Sequence, residues 1–173
     1  VYSATEWRRS DGMIQVYTNP LLLDYIKVCI DMPQNERDHF EVLTGEKFDV
    51  DSIAVGNFMV PGPKWVAKVD DEAICVGGFV QQRPGVWRDF MINTPAVWEK
   101  HWFAMSRIVR RLQNAMFVSK QAHRLECVTT APRLAAHPKI ERWYNVIGYN
   151  REATLYGYCA SGADAVIFSR VKH

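Results

Sequence analysis

Apolar residues recur along the chain with two periods, and the switches between them mark its elements. Residues 13–17, MIQVY, alternate apolar and polar as a short half-buried strand does. Asn19-Pro20 predicts a helix start, because proline is tolerated in a first turn, and Leu22, Leu23, Ile26, Cys29 and Ile30 follow at helical spacing until Pro33. Residues 35–43 read as a second, more polar helix stopped by Gly45. Residues 51–60 are ambiguous, and Pro61-Gly62-Pro63 is a clear break.

The period then changes. Residues 64–70 and 73–82, KWVAKVD and AICVGGFVQQ, are apolar strand runs joined through Asp70-Asp71-Glu72, a hairpin signal. Pro84-Gly85 turns the chain into a third strand, VWRDFMIN over 86–93, so these runs form an antiparallel meander. Thr94-Pro95 predicts a helix, with Thr as cap and Pro in the first turn. Its apolar stripe runs Trp98, Trp102, Met105, Ile108/Val109, Leu112 and Met116. LECVTT over 125–130 is a strand and 134–147 a helix. ATLYGYCA and ADAVIFSRV close the chain as a hairpin around Ser161-Gly162.

The order is β-α-α-β-β-β-α-β-α-β-β. The strand–helix–strand crossover from 86 to 130 is most simply a right-handed parallel pairing. The expectation is an α/β (α+β) fold: a mixed, mostly antiparallel sheet with a central parallel strand pair, flanked by helices. Parallel strands pulled apart by different connections leave a crevice beyond their carboxyl ends, where α/β sheets tend to bind ligands.

Composition narrows the picture. The 173 residues fit one domain over 13–173; residues 1–12, polar with isolated aromatics, read as an N-terminal extension. A net charge of +2 makes nucleic acid or an anionic membrane an unexpected partner. The local basic run Arg107, Arg110, Arg111, Lys120 and Arg124 reads first as a solvated helix face and second as a docking site for phosphate or an acidic partner. Cys29, Cys75, Cys127 and Cys159 are far apart, with no CxxC pair, so no metal is expected and a reducing, cytoplasmic setting is. No stretch approaches the ~20 apolar residues of a membrane span, and no signal peptide is visible.

One segment carries a family likeness. Residues 137–149, HPKIERWYNVIGY, end a helix at Gly148, and together with the element order they resemble the GCN5-related N-acetyltransferases (GNAT). Such enzymes often carry Asn-x-x-Ala-x-x-Leu/Phe-Tyr-x-x-x-Gly-Phe in this helix. Tyr144 falls on the tyrosine, Gly148-Tyr149 on Gly-Phe, and His137 where the asparagine is expected. The resemblance implies an acyl-CoA-dependent N-acyltransferase with acetyl-CoA as donor and a small-molecule or protein amine as acceptor. It makes Tyr144 the general acid for the departing thiolate, since a phenol can protonate it. The alternative for Tyr144 is an aromatic with a satisfied hydroxyl. His137 either helps hold the pantetheine arm or is a capping or surface residue. The resemblance places backbone amides of Met91, Ile92 and Asn93 along that arm as a strand edge would be, and an amide of this strand at the oxyanion. Asp89, two residues before Met91 and so on the same side of the strand, is either the base for the acceptor amine or an ion-pair partner of Arg88 or Arg124.

The sequence departs from the family at one place. An Arg/Gln-x-x-Gly-x-Gly/Ala turn usually wraps the pyrophosphate, where helix amides donate to it. Here residues 93–105 read NTPAVWEKHWFAM, with no glycine, a proline that removes a donor, and Glu99 in the first turns. Lys100 and His101 partly compensate. WEKHWFAMSRIVRRL and KIERWYNVIGY also resemble a GNAT-like virion protein of T7-type short-tailed bacteriophages. That likeness implies a catalytically silent structural or interaction protein in a virion, docking a phage or protein partner through the basic helix over 98–120. No GxSxG, HExxH, GxxxxGK[ST] or GxGxxG occurs. Val76-Gly77-Gly78 reads as a strand bulge or a close backbone contact.

Overall fold

The structure, a computed structural model, describes residues 5–7 and 14–172, with side chains from Ile14 onward. Its elements are β1 (Thr5–Trp7), β2 (Ile14–Tyr17), α1 (Leu22–Ile30), α2 (Gln34–Thr44), α3 (Val50–Met59), β3 (Lys64–Val69), β4 (Glu72–Arg83) and β5 (Val86–Asn93), followed by α4 (Trp102–Val118), β6 (Arg124–Thr130), α5 (Ala131–Ala136), α6 (Lys139–Val146), β7 (Asn150–Leu155) and β8 (Ala165–Val171). Strands are hydrogen-bonded in the order β1-β2-β3-β4-β5-β6-β8-β7. β5 and β6 pair in parallel; the pairings β1–β2, β2–β3, β3–β4, β6–β8 and β7–β8 are antiparallel. This is the mixed sheet with an internal parallel pair that the element order predicts. Met13 lies outside the described residues, and Thr5–Trp7, within the segment read as an extension, pairs with β2.

The chain divides into two compact units, Val1–Pro33 with Asp49–Val80 and Asp89–Ala104, and Gln34–Phe48 with Gln81–Arg88 and Met105–His173. In the first unit, α1 begins at Leu22, later than Asn19-Pro20 suggested. The Asp24 carboxylate reaches back to accept from the Leu21 N–H at 2.8 Å, and that local bond sets the start. Asp24 is itself buried and paired with Lys68 at 2.6 Å. The ambiguous stretch 51–60 is α3. Asp49 caps it by accepting from the Ser52 N–H at 2.8 Å, and Phe58 meets Tyr25 of α1 edge-on at 5.7 Å. The β3–β4 hairpin turns through Asp70 and Asp71, with φ of 49° and 64°, the left-handed pair that a two-residue turn requires. Gly77 faces Trp65: a Cβ there would lie 2.4 Å from the indole and 2.7 Å from the Phe90 carbonyl oxygen. Of the two readings of Val76-Gly77-Gly78, close backbone contact is the one observed; the irregularity of this pairing lies at Ala67/Lys68.

The helix after β5 departs from its predicted stripe. Val97–His101 is π-helical before α4 begins. A π turn inserts an extra residue and rotates what precedes it. Trp102 is accordingly 45% exposed and Trp98 half-buried, while Val97 is buried. In the second unit α4 buries Met105, Ile108, Val109 and Met116 as expected, with Ser106, Gln113 and Phe117 beside them. Arg107, Arg110 and Arg111 are exposed. The helix expected over 134–147 is two helices. α5 starts earlier, at Ala131, capped by the Thr130 hydroxyl, and Pro138 pushes His137 out of helical geometry to φ −134°, ψ 73°. α6 then stops where Gly148 takes φ +96°. Among the described residues no helix is long and apolar enough to cross a membrane.

Candidate functional site

Within the second unit, polar side chains converge at the carboxyl end of β6. Thr129 and Thr130 end the strand, both buried. The Thr130 hydroxyl accepts from the Arg133 N–H at 3.4 Å and so fixes the first turn of α5. One turn in, the Arg133 guanidinium donates to Thr129 Oγ1 at 3.2 Å, ion-pairs with Glu36 of α2 and hydrogen-bonds the Tyr144 hydroxyl of α6. His39, one turn after Glu36 on α2, places Nδ1 3.2 Å from Thr130 Oγ1. One guanidinium thus ties α2, β6, α5 and α6 together.

The electrostatics follow from burial. Desolvation works against the charge on Arg133, but the Glu36 carboxylate and the Tyr144 hydroxyl outweigh it, and its pKa is raised. Burial, reinforced by the Arg133 charge, lowers His39 to about 3, so its imidazole is neutral at physiological pH. The Arg133 Nε is buried without a hydrogen-bond partner. A polar α2 that buries Glu36 is explained by this pair, because a buried carboxylate needs a cation.

The predicted site residues divide between the two units. Tyr144 is buried in the second, stacked on Phe168 at 4.6 Å and edge-on to Tyr149 at 6.3 Å. Its hydroxyl meets Arg133, so the partner that the structural reading of this tyrosine required exists. A phenol beside a guanidinium also suits proton donation, since the cation stabilises the negative charge left behind. His137 is exposed in the link between α5 and α6. Asp89, Met91, Ile92 and Asn93 lie on β5 in the first unit; Asp89 and Met91 are half-buried, Ile92 and Asn93 buried. Arg88 and Arg124, weighed as partners for Asp89, ion-pair with Glu126, and Arg124 also with Glu152. Lys100 is exposed and His101 half-buried in the π-helical turn.

At the end of β5 the expected cap is absent in form. Thr94 Oγ1 is buried without a partner, and so is Asn93 Oδ1 next to it. The helix entry is held by main-chain bonds: Thr94 N–H donates to the Ile74 carbonyl at 3.0 Å and Val97 N–H to the Thr94 carbonyl at 3.2 Å. Two buried unpaired acceptors side by side are costly, about 1–3 kcal/mol each, unless donors fill them. They fit the amide N–H groups of a pantetheine arm. The parallel β5–β6 register covers Val86–Arg88 against Arg124–Glu126, upstream of these acceptors.

Arg133, Glu36, His39, Thr129 and Thr130 carry no motif. Thr130 three residues before Arg133 is a cap spacing, but the pair that gives the cluster its charge is 97 residues apart in sequence.

No protein-family model matches the chain, and no curated protein matches it in sequence. Solved structures do resemble it. A GNAT-family acetyltransferase from Bacillus anthracis superposes with a TM-score of 0.67 at 11% identity, covering 96% of this chain and 98% of its own. A ribosomal-protein-S5-alanine acetyltransferase from Vibrio fischeri gives 0.64 at 13% identity, covering 96% of both chains. The microcin C7 self-immunity acetyltransferase, solved with acetyl-CoA and AMP, gives 0.68 at 13% identity over 94% of both chains. The element order, the internal parallel pair and these superpositions agree: the chain has the fold of the GCN5-related N-acetyltransferases.

Proposed function

We propose that the protein is an acyl-CoA-dependent N-acyltransferase, with acetyl-CoA as donor and an amine as acceptor. The observation that carries this reading is Tyr144: at the position the resemblance assigns to the general acid, a buried phenol rests against the Arg133 guanidinium. Acyl-CoA supplies, when bound, an activated thioester. Asn93 and Thr94, whose side-chain oxygens are buried without a partner, would hold the pantetheine arm through its amide groups. The β5 main chain at Met91 and Ile92 provides further strand-like bonds to the arm and a donor for the oxyanion. Lys100 and His101 supply donors toward the phosphates in place of a glycine turn, with His137 as an exposed donor. Asp89 takes the proton of the acceptor ammonium, and Tyr144 gives its proton to the leaving sulfur.

Titration calorimetry with acetyl-CoA tests the donor. Saturable binding is expected, and heat no different from buffer at millimolar ligand defeats the reading. With binding in hand, Tyr144→Phe is expected to bind acetyl-CoA as the parent does and to lose about 10²-fold in turnover. Unchanged turnover removes Tyr144 from the chemistry.

The entry to α4 favours a second reading. It has no glycine, begins with Pro95, and carries an exposed Glu99. These features suit a catalytically silent GNAT-like module, such as the phage virion protein, which docks through the exposed arginines of α4. The same calorimetry separates the two.

A further inference from the structure

A second charged group lies in the second unit, where β5 pairs with β6. Glu126 is buried on β6, its side chain 7% exposed, and three arginines approach it. Arg124 donates to it at 2.9 Å and to Glu152 at 2.5 Å. The Ser169 hydroxyl and the Arg124 guanidinium hold the Glu152 carboxyl below its usual pKa, so Arg124 and Glu152 are committed to each other. Arg88 and Arg83 are held more loosely. Arg88 lies 3.6 Å from Glu126 Oε2 and donates to the Tyr158 hydroxyl at 3.3 Å, and its Nε is without a partner. Arg83 reaches Glu126 only at 3.9 Å, with its side chain 67% exposed. Charge-assisted bonds between nitrogen and a carboxylate normally close to about 2.7–2.9 Å. Of the three guanidinium groups around Glu126, those of Arg83 and Arg88 make the longest contacts to it.

Tyr158 belongs to a loop that is built rather than slack. Gly157 N–H donates to Asp164 Oδ1 at 2.8 Å, Cys159 N–H to the Ala163 carbonyl at 3.0 Å, and Ala160 N–H to the Leu43 carbonyl of α2 at 3.1 Å. The loop therefore holds the half-exposed Tyr158 ring and hydroxyl in place beside Arg88. A guanidinium offers a planar fork to a carboxylate or phosphate. Here the fork has an unfilled Nε–H, an exposed second arginine and a fixed hydroxyl around it.

We propose that Arg83, Arg88 and Tyr158 form a binding site for the anionic end of an amine acceptor, a carboxylate or a phosphate monoester. The acceptor assignment rests on the acyltransfer reading; the anion site does not. The test uses the whole chain and follows the arginine Nε–H resonances by NMR while inorganic phosphate, or separately acetate, is added at constant ionic strength. Saturable shifts at Arg83 and Arg88 are expected with at least one probe, and the probe that saturates identifies the class. Arg83→Gln, at an exposed position, is expected to weaken binding about tenfold, which is ~1.4 kcal/mol. Tyr158→Phe is expected to weaken it several-fold, and Arg107→Gln on α4 to leave it unchanged. Shifts that stay linear with both probes, or that weaken equally in Arg107→Gln, overturn the site. Phosphate or acetate binding in a protein that ignores acetyl-CoA keeps the anion site and removes its role for an acceptor.

Discussion

His39 stands beside a guanidinium, and that neighbour sets how the protein answers acid. The folded pKa is about 3 against 6.5 for the ordinary imidazole, so the unfolded chain takes up the proton first. The stability this group contributes is whole above about pH 6.5 and is lost as pH falls toward 3, with a slope of up to ~1.4 kcal/mol per pH unit. Urea midpoints measured from pH 7 to pH 4.5 are therefore expected to fall in the parent and to fall less in His39→Gln. Parallel slopes in the two proteins would assign the acid sensitivity to other groups. Tyr144 shows why a residue is read in two ways from sequence. A motif position gives its type, but only the folded chain gives its hydroxyl a partner in Arg133 and its ring a stacking face in Phe168.

Helices in the second unit are held by polar pairs as well as by apolar contact. The Glu36–Arg133 pair ties α2 to α5, and both side chains are at least nine-tenths buried. Breaking such a pair leaves a buried charge uncompensated, which costs about 3–5 kcal/mol. Glu36→Ala is expected to lose that much in chemical denaturation, and a joint Glu36→Met, Arg133→Met variant markedly less than the sum of the two single changes. Additive losses would mean the pair is not coupled. α4 and α6 meet in a similar way: the Trp143 indole N–H donates to Ser106 Oγ at 2.9 Å inside the core. Ser106→Ala removes that bond and is expected to cost about 1 kcal/mol in chemical denaturation. Elements whose start and stop are local were legible in the chain: the Asp70-Asp71 hairpin, the strand 86–93 and the Gly148 stop. Elements set by remote packing were not. α3 has no apolar period and rests on Asp49 and on Phe58 against Tyr25, and the π turn before α4 displaces a stripe that looked regular.

At the scale of the molecule, ligand binding must show as stability. A ligand that binds only the folded state adds about 2.7 kcal/mol at a hundred times its dissociation constant. Thermal unfolding with rising acetyl-CoA is expected to move steadily upward, and Asn93→Leu, which deletes one of the orphaned acceptors, to reduce the shift while leaving the unliganded protein no less stable. Replacing an unpaired buried acceptor with an apolar group of similar size removes a penalty rather than a bond. An acetyl-CoA response of equal size in Asn93→Leu would take that side chain out of the binding account.

Residues a few positions apart were enough to mark β3, β5 and β6, the Asp70-Asp71 turn, the Gly148 stop and the broad order of strands and helices; they did not mark where α1 and α5 begin, the break between α5 and α6, or β7, which runs over Asn150–Leu155 instead of the expected 153–160. The tertiary structure alone decided which charges meet. Glu36 finds Arg133 across 97 positions, and Glu126 gathers Arg83, Arg88 and Arg124 from a hairpin and its own strand. Burial makes those meetings necessary: a charge taken from water is tolerable only beside its opposite, and which opposite is at hand is settled when the sheet and helices close around it.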